Sequence, residues 1–567
     1  SCSHIKAIVQ DFYPNKGQFL IEESIELIVE YNDIYLLSDL RFIINIYNME
    51  QLVVESEYES SLYENNQKGK LTLPSMPVGG YGAKLIVSEG DTIIQTISTA
   101  YDVARSHKAL VRYGFLSDFA ETDESDEADV ISMKKLHINM VQFYDWMYRH
   151  ESLVSDDDYY VDLMGKSMSR KAVISKIDLC HQHGMSTMAY GAVYAASKEF
   201  YDQHPTWGLN DSSGKPITFI DIFYIMNVAE SSPWHQYIID EYKKTIYQLG
   251  FDGIHMDTYG FPKKGYDNDI KSVEVIEMDQ AFPVLINHTK EQLSKINENV
   301  TIIFNNVGNW PVYATAPTNQ DMIYVEVWEP YNTYEHIQRI IAEARSFTDK
   351  PIIISAYLKP FMTDEHQKAG YSLKLMTACV VANGASHLIM GENQSILTQG
   401  YYVDYYPLED DLFSEIRKYY DFMVRYSALF YNQNLRDVSM THAYGDNLEY
   451  VFKGAPCSPS GEADKIWTII REDANMKLLS LINLRGNDND WNVAKKEPNN
   501  IRKLIIEIQL EKEVDQVWVT SPRLQSLKSI PYQVVDGDRG RLLTLTLNEL
   551  DIWTVLVIKL KEGVRIC

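Results

Sequence analysis

At 567 residues the chain is too long for one hydrophobic core, and roughly 150 residues per domain, loosened to about 250 for barrels, gives two to four domains. Hydrophobic residues make up 45% and charged residues 23%, as in folded soluble proteins, and no apolar run approaches the roughly 18 residues of a membrane span. With 52 basic against 79 acidic residues the formal charge is −27, which repels phosphate backbones and anionic lipid and so removes nucleic acid from the expected partners.

Five cysteines, at 2, 180, 379, 457 and 567, form no C-x-x-C pair and no metal-ligand spacing, so neither a zinc site nor a disulfide framework is expected. Cys2 sits where a lipid-modified cysteine stands after processing, which raises an exported, lipid-anchored protein; a free thiol is the plain alternative. From residue 1 to about 104 only strands are read: "IELIVEYN", "DLRFIINIYN", "KLIVSEG" and "TIIQTIS" are short, β-branched and separated by turn material, as in a small β-sandwich.

Between 105 and 437 apolar strand-like runs alternate with helical stretches. Eight of them, "HINMVQFYDW", "MSTMAYGAVY", "FYIMNVA", "FDGIHMDTYG", "TIIFNNVG", "MIYVEVWEP", "PIIISAYL" and "SHLIMGEN", predict a (β/α)8 TIM barrel. The acidic "ETDESDEAD", 121 to 129, is expected as a solvated loop. From 438 to 567 strands return, "KIWTIIRE", "KLLSLINL" and "WTVLVIKL" among them, and predict a second, C-terminal β-sandwich.

A barrel of this kind carries its chemistry at the carboxyl ends of its strands. Alternation in the sixth candidate strand sets Tyr324, Glu326 and Trp328 on one face and Val325 and Val327 on the other, so the first three are expected to face inward. In the fourth, Ile254 and Met256 oppose His255 and Asp257, while Asp252 falls near the strand start, where capping or turn duty is expected. Burying an unpaired carboxylate costs several kcal/mol, so one is kept at a strand end when a partner or substrate uses it. Two carboxylates across a barrel mouth, with Tyr and Trp beside them, suit glycoside hydrolysis; structural salt bridges or a metal site are the readings that spacing alone leaves open. The 39 tyrosines and 9 tryptophans also suit the faces of sugar rings.

"RYGFLSDF" (112–119), "HINMVQFYDWMYRHE" (137–151), "FDGIHMDTYG" (251–260), "YVEVW" (324–328) and "GEN" followed by "YYVDYYP" (391–407) together resemble glycoside hydrolase family 66. That family holds endo-dextranases and cycloisomaltooligosaccharide glucanotransferases. The resemblance implies an immunoglobulin-like N-terminal domain and a Greek-key C-terminal domain around the barrel. It also implies a retaining mechanism on α-1,6-linked glucan, with Asp257 attacking the anomeric carbon and Glu326 donating a proton and then activating water. Around them, Tyr144, Asp145, Trp146, Tyr190, His255, Asn305, Asn306, Trp328 and Glu392 are the candidates for sugar contacts; the plain alternative is barrel-mouth packing for Tyr144, Asp145 and Trp146, orienting Asp257 for His255, and satisfying loop backbone for the two asparagines.

Cyclising members resemble the dextranases but carry an extra carbohydrate-binding module inserted late in the barrel. The gap from about 359 to 385 leaves no room for one, so endo-hydrolysis of dextran to isomaltooligosaccharides is expected over cyclisation. Transglycosylation, a non-catalytic glycan-binding protein and an α-glucosidase on another barrel family with its aspartate nucleophile at strand four are the rivals. The chemistry needs no cofactor and no metal, a monomer is expected, and a polymeric substrate implies an extracellular, cell-surface or periplasmic place.

Overall fold

The computed structural model describes residues 7–32, 39–58, 68–268 and 274–565; Cys2 and Cys567 lie outside them. At its centre run parallel strands Tyr113–Leu116, Met140–Phe143, Ser186–Ala192, Gly253–Asp257, Thr301–Val307, Met322–Glu326 and Ile352–Ser355, then Ser386–Leu388 continued by Met390–Gly391. Each pairs in parallel with the next, and Gly391 pairs with Phe115 of the first, so the sheet curls until its ends meet. That seam admits no side chain: a Cβ on Gly391 would lie 2.3 Å from the Phe115 ring and 2.5 Å from its carbonyl oxygen.

Two expectations about strand identity change, and their effects cancel. "FYIMNVA" is no part of this sheet, because Phe223–Ile225 pairs antiparallel with Ala195–Ala196 and Thr218–Phe219. The first strand is instead the four-residue Tyr113–Leu116. One strand is lost and one gained ahead of Gly253, so the strand ending at Asp257 remains fourth and that ending at Glu326 sixth.

A helix follows each strand, and the longer ones carry readable signals. Ser169 caps Arg170–Gln182 by accepting from the Ala172 N–H, and Ser232 precedes Pro233 at the start of Pro233–Lys244. Thr333 and His336 form a capping box at Tyr334–Phe347, whose buried Tyr334, Ile337, Ile340, Ile341 and Ala344 make one apolar stripe. The acidic stretch 121–129 is solvated as expected except at its end, where Asp129 is buried. Glu121–Asp123 forms a 3-10 turn, and Asp129 opens the helix Ala128–Lys134 buried against Lys176 at 3.0 Å.

The N-terminal strands form two sheets around one apolar core that includes Phe12, Leu27, Ile44 and Leu85. The C-terminal strands do the same around Ile470, Leu479, Ile506 and Leu556. Arg112, fully buried at the entry to the first central strand, donates to both oxygens of Asp102 at 2.9 and 2.6 Å and so ties the N-terminal sheets to the centre.

Candidate active site

The carboxyl ends of the central strands surround a cavity of about 480 Å³. Asp257 ends the fourth strand and Glu326 the sixth, and both line it. Asn305, on the fifth strand between them, donates one amide nitrogen to both acids, 2.7 Å to Asp257 Oδ1 and 2.8 Å to Glu326 Oε1. The two bonded oxygens therefore lie at most 5.5 Å apart, the sum of those two bonds. The amide orientation follows from charge, since its oxygen turned the other way would face two carboxylates.

Each acid has a further donor. The Tyr190 hydroxyl donates to Asp257 Oδ2 at 2.5 Å, and the Trp328 indole N–H donates to Glu326 Oε2 at 2.6 Å. Burial is the largest influence on both acids. It pushes Asp257 up to about 6 against the pull of Tyr190, Asn305 and the Thr258 N–H. It pushes Glu326 up to about 7, and the negative charge of Asp257 adds to the rise. Of the pair, Glu326 is the one that keeps its proton to higher pH.

Tyr144, Asp145, Tyr190, His255, Asn305 and Trp328 line the cavity with the two acids. Asp145 has φ +49°, so the chain turns there and strict alternation stops; burial pushes its carboxyl up to about 7. His255 is buried beneath the acids with Nδ1 2.9 Å from the Tyr113 hydroxyl, and burial pushes it down to about 3, so its ring is neutral. Asp252 accepts from the Thr187 N–H at 2.7 Å and bonds His181 at 2.7 Å, so in place of the capping or turn duty expected it ties the start of the fourth strand to the third strand and the helix before it.

Three expected sugar contacts are corrected. Trp146 turns under the cavity after Asp145, 1% exposed, with its indole N–H on the Tyr190 carbonyl at 3.1 Å. Asn306 faces the outer side, donating to the Tyr324 carbonyl at 3.0 Å and accepting from Thr315 at 2.6 Å. Glu392 is fully buried and bonded to Ser117 rather than the cavity. Sequence reading had passed over Tyr357, Tyr402, Tyr259 and the hairpin tip at Phe219 and Ile220, all cavity-lining. Tyr402 lies in the tyrosine-rich "YYVDYYP", whose composition was its only signal.

Among the described residues one group of acids has metal-like spacing: Asp118, Asp129 and Glu392 offer oxygens within 4.8 Å of one another. The Lys176 ammonium stands among them, 3.0 Å from Asp129 and 3.7 Å from Glu392, and supplies the positive charge itself.

Residues 16–557 match the profile of glycosyl hydrolase family 66. The chain belongs to glycosyl hydrolase family 66. Within the family it is 23% identical over 674 aligned positions to a cycloisomaltooligosaccharide glucanotransferase of Niallia circulans, covering 91% of this chain and 68% of that protein. It is 23% identical over 503 positions to a dextranase of Streptococcus salivarius, covering 75% of this chain and 60% of the dextranase. In structure it resembles a cycloisomaltooligosaccharide glucanotransferase of Paenibacillus sp. solved with cycloisomaltoheptaose, at TM-score 0.86 and 18% identity over 97% of this chain and 99% of that one. A maltogenic α-amylase of Thermotoga neapolitana is more distant, at TM-score 0.51 and 12% identity over 80% of this chain and 99% of that one.

Proposed function

We propose that this family 66 chain hydrolyses internal α-1,6-glucosidic linkages of dextran with retention at the anomeric carbon, with Asp257 as nucleophile and Glu326 as acid and base. The observation that carries the proposal is the Asn305 amide shared by the two carboxylates, which keeps their facing oxygens within 5.5 Å. Retaining glycosidases hold their two carboxyl groups about 5–5.5 Å apart, whereas inverting ones leave roughly 6.5–9.5 Å for a water.

A glucosyl unit seated between them meets Asp257 at its anomeric carbon. Glu326, holding its proton to higher pH, gives it to the departing 6-oxygen of the neighbouring sugar as the Asp257–carbon bond forms. The same carboxylate then takes a proton from water, which releases the glucosyl unit from Asp257. Neutral His255 and the Tyr190 hydroxyl present hydrogen-bonding groups without adding charge beside the reacting centre. Asp257 must be ionised and Glu326 protonated, so kcat/KM is expected to be bell-shaped, with its acid limb near about 6 and its alkaline limb near about 7.

The same proposal takes the closed parallel sheet as a (β/α)8 barrel over 105–437, flanked by an immunoglobulin-like sandwich over 1–104 and a Greek-key sandwich over 438–567. The separate apolar cores of the two flanking regions support that division. Export follows from a substrate too large to enter a cell.

Hydrolysis is favoured over cyclisation by the stretch between the seventh and eighth strands, which Pro360–Thr363 and His366–Ala382 fill. The alignment with the Niallia glucanotransferase also runs over 674 positions against 567 residues here, so at least 674 − 567 = 107 of its positions face no residue of this chain. Transfer to an acceptor sugar is the second reading, favoured by the glucanotransferase relatives. Dextran digestion with product sizing separates them: a ladder of linear isomaltooligosaccharides supports hydrolysis, and rings or lengthened chains support transfer. Asp257→Asn and Glu326→Gln are expected to lose on the order of 10³-fold in activity, and full activity in either ends the proposal.

A further inference from the structure

Glu392, expected from sequence to touch sugar, is buried at the seam where the eighth strand meets the first. Its Oε1 accepts from the backbone N–H and the hydroxyl of Ser117, both at 2.7 Å, and its Oε2 from the Asp118 N–H at 3.3 Å. Lys176 reaches the same place, donating to the Asp118 carbonyl at 2.5 Å. Immediately after Glu392, Asn393 and Gln394 both take left-handed φ, +53° and +56°, a pairing that non-glycine residues keep only where their surroundings hold it. Glu392 holds one side of this turn; on the other, Gln394 Nε2 donates to the Leu408 carbonyl at 3.0 Å and to Asp410 at 2.9 Å.

The segment so held, 395–407, is one wall of the cavity. Gly400 sits against the Trp328 ring, where a Cβ would lie 3.4 Å from it. The Tyr402 ring stacks on Tyr144 with centroids 4.3 Å apart, and its hydroxyl is 2.9 Å from that of Tyr357 and 3.2 Å from that of Tyr324. Tyr357 lines the cavity with Glu326 and packs edge-on to Trp328, ring centroids 5.6 Å apart, and Trp328 is the indole donor to that acid. A chain of contacts therefore runs from the wall through Tyr402, Tyr357 and Trp328 to the acid.

We propose that Glu392 is a positioning residue for Glu326: it clasps the seam, the clasp fixes the 395–407 wall, and Gly400 and Tyr402 on that wall hold Trp328 and Tyr357 in place beside the acid. This rests on the assignment of Glu326 as acid and base. The groups facing Glu326 are Asp257, Asn305, Trp328 and Tyr357, with Tyr324 and Tyr402 behind them. Burial pushes Glu392 itself up to about 8 against the pull of Lys176, so Gln is its closest replacement.

The test uses the full chain with Glu392→Ala, Glu392→Gln and Tyr402→Phe, and reads the pH profile of kcat/KM on dextran. A second readout is acrylamide quenching of Trp328, taken as the difference from the same variants carrying Trp328→Phe. Glu392→Ala is expected to lower kcat about ten-fold or more with KM unchanged, the scale of a lost hydrogen bond to a charged group. It is expected to move the alkaline limb upward and to make Trp328 more quenchable, while Glu392→Gln keeps an oxygen for Ser117 and restores most of the activity. A folded Glu392→Ala with the parent pH profile and parent quenching overturns the proposal and leaves the catalytic assignment standing, because that is judged by Glu326→Gln. If Glu392→Ala does not fold, Tyr402→Phe decides: a raised alkaline limb at unchanged melting temperature supports the clasp, and an unmoved limb overturns it. Should the chain not cleave dextran, the quenching difference in Glu392→Ala, or in Tyr402→Phe where Glu392→Ala does not fold, decides in the same two directions.

Discussion

The indole N–H of Trp328 donates to Glu326 across 2.6 Å, although only one residue separates them along the chain. Glu326 ends the sixth strand, Trp328 follows two residues beyond it on the same side, and the ring, 43% exposed, covers the acid from the open side of the cavity. A donor aimed at a carboxylate favours its ionised form and so holds its pKa below what burial alone would give. Trp328→Phe keeps a ring and removes the donor. The alkaline limb of kcat/KM is expected to move up by about one pH unit, since a hydrogen bond to a charged group is worth roughly 1.5–3 kcal/mol and one unit is about 1.4. A pH profile with an unmoved alkaline limb would contradict this.

Asn305 does for the pair what Trp328 does for one member. Without its amide the two carboxylates face each other across a partly buried gap with nothing between them, and their repulsion raises the cost of ionising Asp257. Asn305→Ala is expected to lower kcat by about 10²-fold or more and to move the acid limb upward. Steady-state kinetics from pH 4 to 8 checks both.

The same acids set a pH dependence of stability. Burial raises Asp257 to about 6 and Glu326 to about 7, so the folded chain holds these protons at pH values where the unfolded chain, with carboxyls near ~4, has released them. Stability therefore falls as pH rises from about 4 to about 7 and is level on either side. Asp257→Asn and Glu326→Gln remove that loss and are expected to raise the melting temperature by about a few degrees at pH 8 and little at pH 4. An equal gain at both pH values would refute the linkage.

Closure of the central sheet depends on the missing side chain at 391. Gly391→Ala forces a methyl group into the Phe115 ring and carbonyl, and the seam must open to admit it. The expected cost is about 1–3 kcal/mol or more, as for other overpacked interiors, read as a lowered midpoint in urea unfolding. A midpoint equal to that of the parent chain would show that the seam yields freely.

How much of this was legible in the sequence depended on whether the deciding contacts were local. Alternation correctly sets His255 with Asp257, because side-chain period is a property of the strand itself, and it also sets Glu326 with Trp328, two residues past the end of its strand. Strand identity was less secure: "FYIMNVA" and "YGFL" are both short apolar runs, and only distant pairing partners decide that the second joins the parallel sheet. Past the end of the second strand at Phe143, the left-handed turn at Asp145 sends Trp146 beneath the cavity, which no periodicity foretells. Asn305 and Glu392 were flagged from their strand-end positions, yet their roles follow from side chains 21 to 275 positions away in sequence, which local reading does not reach.

The decisive measurement is proton NMR of the reducing ends first released from an α-1,6-linked isomaltooligosaccharide, recorded before mutarotation. Cleavage through Asp257 with two inversions at carbon is expected to deliver the α anomer first, with the β anomer growing in afterwards. First appearance of the β anomer would mean a single displacement by water, and would contradict a nucleophilic Asp257 working beside Glu326.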